Sequence, residues 1–519
     1  MFKTLLVCIV LAQGLLKAQS TRFDMLENGN EHYQNKNFLS AIPIYKSELK
    51  KDPWNNELKY RLGLCYLNTR INRETAITYL EELSKDKSTE SDVWIHLGHA
   101  YLLTNRIEDA VKCFEKFMSL KPRRADEVEH FLEQCANAEA FLKSPVKITF
   151  QNLGTEINSS EPDYYPYIDR DEMTLVFTSR RKENFGGRRI EMDGYRSSDI
   201  YISTMQNGNW TEAKNVGRNV NGNLDEQSVG LRSDGLELYM YLDHIDKYGD
   251  VYVSRRPDVL SEFLRPKVCD PIINEEIETA GCLSEDGELM VFARRNKLND
   301  NSDLYTCRRL PNGKWGIPQR LPDCVNSPYN EDMPYLSYDG KTLYFASEGH
   351  NSMGGFDLFK SEWDQETNTF KPPVNLGCPI NSTDDDRSIC VTRDNRLAYV
   401  SSFRAGGFGD LDIYRVKFEE DEPIRVIYTG QLLVGDSTQQ SAISNYDISL
   451  TVTNTKTNDE YVFTPQAKTG HFMMALPAGT YKLSTTVNGD ANYEEDLLVS
   501  DMGRINMERH KDIILKKPR

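Results

Sequence analysis

Five times in its middle half the chain places an aspartate at the head of a short strand-forming run: Asp199 in SSDIYIS, Asp250 in YGDVYVS, Asp303 in NSDLYTC, Asp357 in GFDLFKS and Asp412 in DLDIYRV. Successive aspartates lie 51, 53, 54 and 55 residues apart. A period of this length is the mark of a repeat architecture, and it restricts the fold more than any composition figure does. Two other phrases keep the same period. Asn158, Asn221, Asn274, Asn326 and Asn381 end the runs LGTEIN, VGRNVN, CDPIIN, LPDCVN and LGCPIN. The turns RSDGLELYMY, SEDGELMVFA, SYDGKTLYFA and TRDNRLAYVS form the third, with IDRDEMTLVF as an imperfect first copy.

Within one repeat the pattern is a β-meander. A strand such as MPYLSY meets an Asp-Gly turn, where glycine supplies the positive φ, and LYFAS returns. A Gly-rich loop reverses the chain, Asp357 is expected to accept backbone N–H groups there, and FDLFKS is the third strand. An aromatic residue (Trp210, Trp315, Phe370) opens the fourth. Four strands repeated radially make a β-propeller blade. The first copy carries an insertion around GGRRIEMDG, and the last lacks its fourth strand after Tyr414. That piece stands instead at the front, as VKITFQNLGTEIN, so residues 146–158 are expected to complete the last blade and close the ring. Five copies imply five blades, with six as the alternative.

The sentence SxDGKxLYFxSxxxGGxGxxDIY, best kept at Ser337–Phe359 and Thr392–Tyr414, resembles the PD40 (WD40-like, TolB-type) repeat of envelope proteins. Each repeat also carries an acid soon after its asparagine: Glu161, Glu226, Glu278, Glu331 and Asp386. Carboxylates on innermost strands are able to bind a cation or a basic peptide at the channel mouth, and five-bladed glycosidases use a few central ones. Catalytic acids differ from blade to blade, whereas these recur, which is how structural residues behave. No Ser/His/Asp set, zinc-spaced histidine cluster or phosphate loop stands elsewhere, so no catalytic residue, metal or cofactor is expected.

Before the repeats, residues 22–144 have helical periodicity. WIHLGHAYLLTNRIEDAVKCFEKFMSLKP places Trp94, Leu97, Gly98, Tyr101, Ala110, Phe114 and Pro122 at the spacing of a tetratricopeptide repeat. Looser copies set Ala41 and Ala76 before Ala110, at steps of 35 and 34 residues. Residues 125–143 read as the cap helix such stacks need. Projecting the concave face of the first helices gives Asn30, Gln34, Tyr60, Asn68, His99 and Leu103 as candidate partner-binding residues. Behind the repeats, residues 424–519 alternate as β-strands. Gly470-x-Phe472 and Leu476-Pro-Ala-Gly479-x-Tyr481 resemble the carboxypeptidase-regulatory-like (transthyretin-related) β-sandwich, which implies that Tyr481 packs into its core. The fold class expected is thus multidomain α + β: α-solenoid, β-propeller, β-sandwich.

Residues 1–18 have the Lys3, apolar run and small-residue end (Ala18) of a secretory signal peptide, leaving Gln19 first. Their loss removes Lys3 and Lys17 from 62 basic residues, leaving 60 against 79 acidic and a formal charge of −19. That balance argues against nucleic acid and anionic lipid as main partners. Nine cysteines remain without a CxxC pair, and Cys65, Cys113 and Cys135 read as buried thiols, while pairing among the rest stays open. The ordered trio of modules resembles PorE-like proteins of the type IX secretion and gliding apparatus. That resemblance implies a periplasmic, outer-membrane-associated adaptor whose stack and ring each present a docking surface. Its partners would be an outer-membrane β-barrel or secretion-machine components, and it would reach the membrane only through them. The chain stops at HKDIILKKPR where those relatives continue into an OmpA-like domain, so peptidoglycan contact is expected to be indirect. A glycan-binding or glycan-active propeller and a TolB-like peptide-binding propeller are the alternatives.

Overall fold

Helices begin where an asparagine is free to cap them. The side chains of Asn28, Asn37 and Asn55 accept from the N–H groups of Glu31, Ser40 and Leu58 at 3.0 Å each, opening Gly29–Gln34, Phe38–Lys51 and Asn56–Leu67 in the computed structural model. The model describes residues 28–516 except 71, 87–89, 188–189, 191–193, 245–246, 297–300, 365–368, 420–424, 437–438, 442–445, 467 and 500–507. The signal peptide, and part of the first-repeat insertion, lie outside the described residues. Arg73–Ser84, Val93–Leu103 and Ile107–Leu120 complete three helical hairpins, and Asp126–Lys143 caps them. Ala41, Ala76 and Ala110 are fully buried. A Cβ on Gly98 would stand 2.6 Å from Phe114, so only glycine lets that hairpin close. None of the helices among the described residues is long and apolar enough to cross a membrane.

Among the described residues the repeats form five antiparallel sheets. The first holds Asp163–Ile168, Thr174–Ser179, Asp199–Gln206 and the short strand Lys214–Asn215. The next three run from Glu226, Ile277 and Glu331 with the same strand order. The fifth joins Ile389–Val391, Leu397–Ser402 and Asp412–Phe418 to Ile148–Asn152, in a register running from Ile148↔Phe418 to Asn152↔Tyr414. The leading strand therefore closes the last sheet, and the count is five. The turn chemistry is as expected: Gly235, Gly287, Gly340 and Asn395 hold positive φ, and so does Glu172 in the imperfect copy. Second and third strands meet through aromatic pairs at one register, Phe177–Tyr201, Phe292–Tyr305 and Phe345–Phe359, each 5.9 Å between centroids. Trp210 and Phe370 sit in two-residue strands at the far end of a hairpin, and Trp315 in a bridge to Arg309.

The asparagine of each repeat has one job. Its carboxamide acts as a substitute peptide group, bonding both the N–H and the C=O of the residue after the strand aspartate. Asn381 does this to Leu358 at 2.8 and 2.9 Å, Asn221 to Ile200 at 3.0 and 2.8 Å, and Asn326 to Leu304 at 2.8 and 3.0 Å. Asn274 holds Val251 and Asn158 holds Ile413 in the same way. In three sheets a second asparagine joins. Asn375 donates to Asp357 at 2.7 Å and accepts from Gly377 N–H and from Asn381, and Asn215 and Asn152 repeat the pattern with Asp199 and Asp412. Asp357 also accepts from the N–H of Met353 at 2.9 Å, the loop bond expected of it.

The described residues fall into two compact units, divided after Phe418, so the helical stack and the ring form one unit rather than two. Buried Met353, from a ring loop, packs within the apolar core of the stack. The second unit has two sheets. Arg425–Asp436 is central to one, pairing antiparallel with His471–Pro477 and parallel with Glu508–His510 and Ile513–Leu515. The other orders Glu460–Phe463, Ile448–Asn454, Gly479–Val487 and Asp490–Val499. Both contribute to one core around Leu432, Leu450, Met474 and Leu483. The chain passes between the sheets at Pro477-Ala478-Gly479, and buried Tyr481 donates to the Pro477 carbonyl at 2.9 Å. The nine cysteines from Cys65 to Cys390 are unpaired thiols.

Asn381→Ala leaves the buried N–H of Leu358 without a partner, while its carbonyl keeps the Leu376 N–H at 3.0 Å, and is expected to cost about 1–3 kcal/mol in urea unfolding. A loss below about 0.5 kcal/mol would show that the bridge is dispensable.

Candidate functional site

The recurring acids turn inward to hold loops. Glu331 is fully buried and accepts from Ser327 Oγ at 2.5 Å, Ser347 Oγ at 2.6 Å and Ser327 N–H at 3.0 Å. Asp386 accepts from the N–H and Oγ of Ser382 at 2.7 and 2.8 Å. Glu278 accepts from the N–H of Glu276 at 3.1 Å and from Arg294 at 2.7 Å. Glu226 receives backbone bonds from Gly222 and Leu224. In the first blade the acid in this role is Asp163, not Glu161. Asp163 is fully buried and accepts from Ser159 N–H and Oγ at 2.6 and 2.8 Å, while Glu161 is half-exposed and meets Ser159 only through its backbone N–H and carbonyl. Counting settles the matter in retrospect: Asp163, Glu226, Glu331 and Asp386 each stand five residues after the bridging asparagine, and Glu161 stands three.

Burial pushes these carboxyls up, Glu226 to about 8 and Glu331 and Asp386 to about 7, against the donors that favour the anion. Asp163 and Glu278 are raised by the same cause, opposed by Arg181 and Arg294.

A different space has the character of a site. The concave face of the helical stack looks onto the ring, and between them lies a cavity of about 440 Å³. Asn68, His99 and Leu103 line it, together with Arg70, Arg73, Phe131, Tyr329, Asp384 and Asp385. The other three candidate groove residues lie elsewhere. Asn30 accepts from Tyr45 OH at 2.9 Å and from Arg61, Gln34 is exposed, and Tyr60 stands 5.8 Å from the ring of His96. Part of the concave face thus looks onto the chain's own propeller across this cavity, while Asn30 and Gln34 stand exposed away from it.

Ion pairs hold the two parts together. Arg73 reaches Asp384 at 2.6 Å, and Arg70 spans Asp384 at 3.4 Å and Asp410 at 3.2 Å. Tyr195 OH donates to Asp410 at 2.6 Å. Burial alone would raise Asp384, but Arg70 and Arg73 outweigh it and hold its carboxyl below the usual range. Asn137 donates to the Ser352 carbonyl at 2.9 Å, Gln134 to that of Gly354, and His130 stacks on Tyr329 at 4.1 Å. His99 opens onto the cavity and is partly exposed. Burial, then His96 and Arg73, push its pKa down to about 4, so the imidazole is neutral.

The cavity shares Arg70, Tyr195 and Asp385 with a second hollow of about 260 Å³ at the ring mouth, walled by Tyr164, Tyr165, Arg180 and Arg387. Tyr165 holds φ 54° at a break in strand register, and Met333 holds φ 48° at the equivalent break in the fourth blade, so the conformation is a bulge of the repeat. Sequence reasoning missed Arg70, Arg73, Asp384, Asp385 and Asp410. The acid run STDDD at 382–386 and the Asp410 of GGFGD were the visible signals. Among the described residues there is no group of three or more His, Cys, Asp or Glu able to hold a metal ion.

Residues 91–124 match the family model described as tetratricopeptide repeat. No curated protein matches the chain. Among solved structures, TolB from Acinetobacter baumannii is 13% identical with a TM-score of 0.34, covering 57% of this chain and 71% of its own. A putative TolB from Agrobacterium tumefaciens is 16% identical with a TM-score of 0.28, covering 53% and 98%. An endo-arabinase from Bacteroides thetaiotaomicron is 10% identical with a TM-score of 0.34, covering 51% and 96%.

The raised carboxyls fix the sign of a pH effect. Each holds its proton to higher pH in the folded protein than unfolded, where glutamate titrates near about 4.3. The folded state therefore binds more protons between roughly pH 4 and pH 8, and stability falls as pH rises through that window. Glu226→Gln is expected to leave stability unchanged near about pH 5 and to raise it by about 1–3 kcal/mol near about pH 8.5, read by denaturant titration at both. Equal effects at the two pH values would refute the assignment.

Proposed function

We propose that this chain is a non-catalytic binding scaffold of the cell envelope. The observation that supports it best is the open cavity between stack and ring, set against buried carboxylates, one per blade, that are tied into loops. Glycosidase chemistry needs two carboxyls facing each other across about 5–9.5 Å of open space. The recurring acids stand one per blade and are turned into the protein. The order of helical repeats, ring and two-sheet tail supports the PorE-like reading, with the tail as a carboxypeptidase-regulatory-like docking module. In that reading the chain is exported, begins at Gln19, and sits in the periplasm against the outer membrane. It is held there by a β-barrel or by other components of a type IX secretion apparatus. It uses no cofactor, and any contact with peptidoglycan passes through a partner.

Detergent-solubilised envelopes are expected to yield the protein in a large complex with Gln19 at its N-terminus, by native electrophoresis and mass spectrometry. Recovery as a free monomer from a gentle osmotic extract, or turnover of any member of a polysaccharide panel, would overturn the proposal.

A further inference from the structure

We propose that the hollow between the stack and the ring receives a small organic molecule with an apolar body and a primary ammonium head, and that Glu348 and Gln134 hold the head. The proposal goes beyond the scaffold reading, which rests on other observations. Protein interiors pack with few voids larger than a water molecule. A hollow of about 440 Å³ falls within the range of about 300–1,000 Å³ typical of ligand pockets, which favour the junctions between domains.

The lining selects the ligand. Its wall carries Arg70 and Arg73 against Asp384, Asp385 and Glu348. Both arginines are taken by Asp384, with Arg70 reaching Asp410 as well, and Asp385 is met by Arg387 at 3.4 Å and by the N–H of Phe356 at 3.1 Å. Glu348 is left over. It accepts from Asn330 Nδ2 at 2.6 Å and has no ion pair among the described residues. Arg387 lies in the field of Glu348 too, but Asp385 and Asp332 act on it more strongly. A cation supplies the charge this wall lacks, whereas an anion would have to take an arginine from Asp384.

Gln134 is the second group. It is 6% exposed and lines the same hollow. Its Nε2 donates to the Gly354 carbonyl and meets His130 Nε2 at 3.1 Å, which turns the amide so that Oε1 has no donor among the described residues. A buried acceptor of this kind calls for a donor. The His130–Tyr329 stack brings the two groups to one end of the hollow. Gln134 lies one turn along Asp126–Lys143 from His130, and Asn330, the donor to Glu348, follows Tyr329. One carboxylate and one carbonyl oxygen suit an ammonium group, which has three donors and no acceptor. A bound metal would ask for more acids than this end offers, and no group of three or more His, Cys, Asp or Glu able to hold one occurs among the described residues. Buried Leu102 and half-buried Leu103 and Phe131 stand along the same wall and leave it apolar enough for the body of the ligand.

Ligand-observed NMR titration of the full chain with hexylamine, 1-hexanol and hexanoate tests this, because only the head group changes. Hexylamine is expected to bind at least about tenfold more tightly than the alcohol or the acid, and Glu348→Gln to weaken it about tenfold or more. Glu262→Gln, which removes an exposed acid elsewhere on the ring, is expected to leave binding unchanged. Thermal unfolding of Glu348→Gln separates lost binding from lost folding. The wild-type chain gives a readout that needs no variant: hexylamine is expected to slow hydrogen exchange at residues 130–134 and 348–355. Equal binding of 1-hexanol, unchanged binding in Glu348→Gln, protection confined to other segments, or no binding of hexylamine at all would each overturn the proposal. Tighter binding of an acetylated, amidated lysine tripeptide than of hexylamine would overturn it as well, by making the ligand a protein side chain. None of these outcomes touches the scaffold reading, which falls instead to recovery as a free monomer or to polysaccharide turnover.

Discussion

The asparagine that closes each repeat carries more of this structure than any apolar contact. By bonding both backbone groups of the residue after the strand aspartate, it pins the outer loop of one blade to the strand that precedes it. A buried backbone donor must be paired somewhere, and here the side chain pairs the N–H and shares the carbonyl with a backbone N–H of the following segment, such as Leu376 for Leu358. Ring closure follows from the same device. Ile148–Asn152 brings Asn152 and, just beyond it, Asn158 to the last blade, so the leading strand completes the brace as well as the sheet.

A rigid ring is what allows the helical stack to be positioned. The loops that face the stack carry Met353, Asp384 and Asp410, each within a brace of the kind described: Met353 N–H donates to Asp357, Asp384 lies inside the Ser382–Asp386 clasp, and Phe408 N–H donates to Asp412 across Asp410. Loops fixed in this way present their carboxylates at constant positions, and Arg70 and Arg73 meet them without further ordering. The junction is therefore polar and incompletely filled, with ion pairs around a hollow, which differs from the close packing inside either part.

Much of this was legible in the chain. Asp-Gly turns, the repeating asparagine and the misplaced fourth strand are local patterns, and each maps to one backbone requirement. The tetratricopeptide glycine is local too, because Gly98 answers to Phe114 in the same hairpin. The rest depends on residues far apart in sequence. Arg70 and Asp384 meet only after both modules have folded, and no periodicity records that meeting. Projecting a concave face located Asn68, His99 and Leu103 but could not tell that the propeller would face them across a hollow. Glu161 was misread for Asp163 because the first loop, SSEPD, holds two acids and only the count from Asn158 separates them.

A double-mutant cycle on Arg73→Ala and Asp384→Ala, followed by urea unfolding of the full chain, tests the account most directly. The two side chains are 14% and 21% exposed and belong to different modules, so they couple only if the stack is docked over the ring mouth. Docking predicts an interaction energy of about 1–3 kcal/mol. An interaction within about 0.3 kcal/mol of zero would mean that the two substitutions act on separate bodies and that the stack is not docked on the ring.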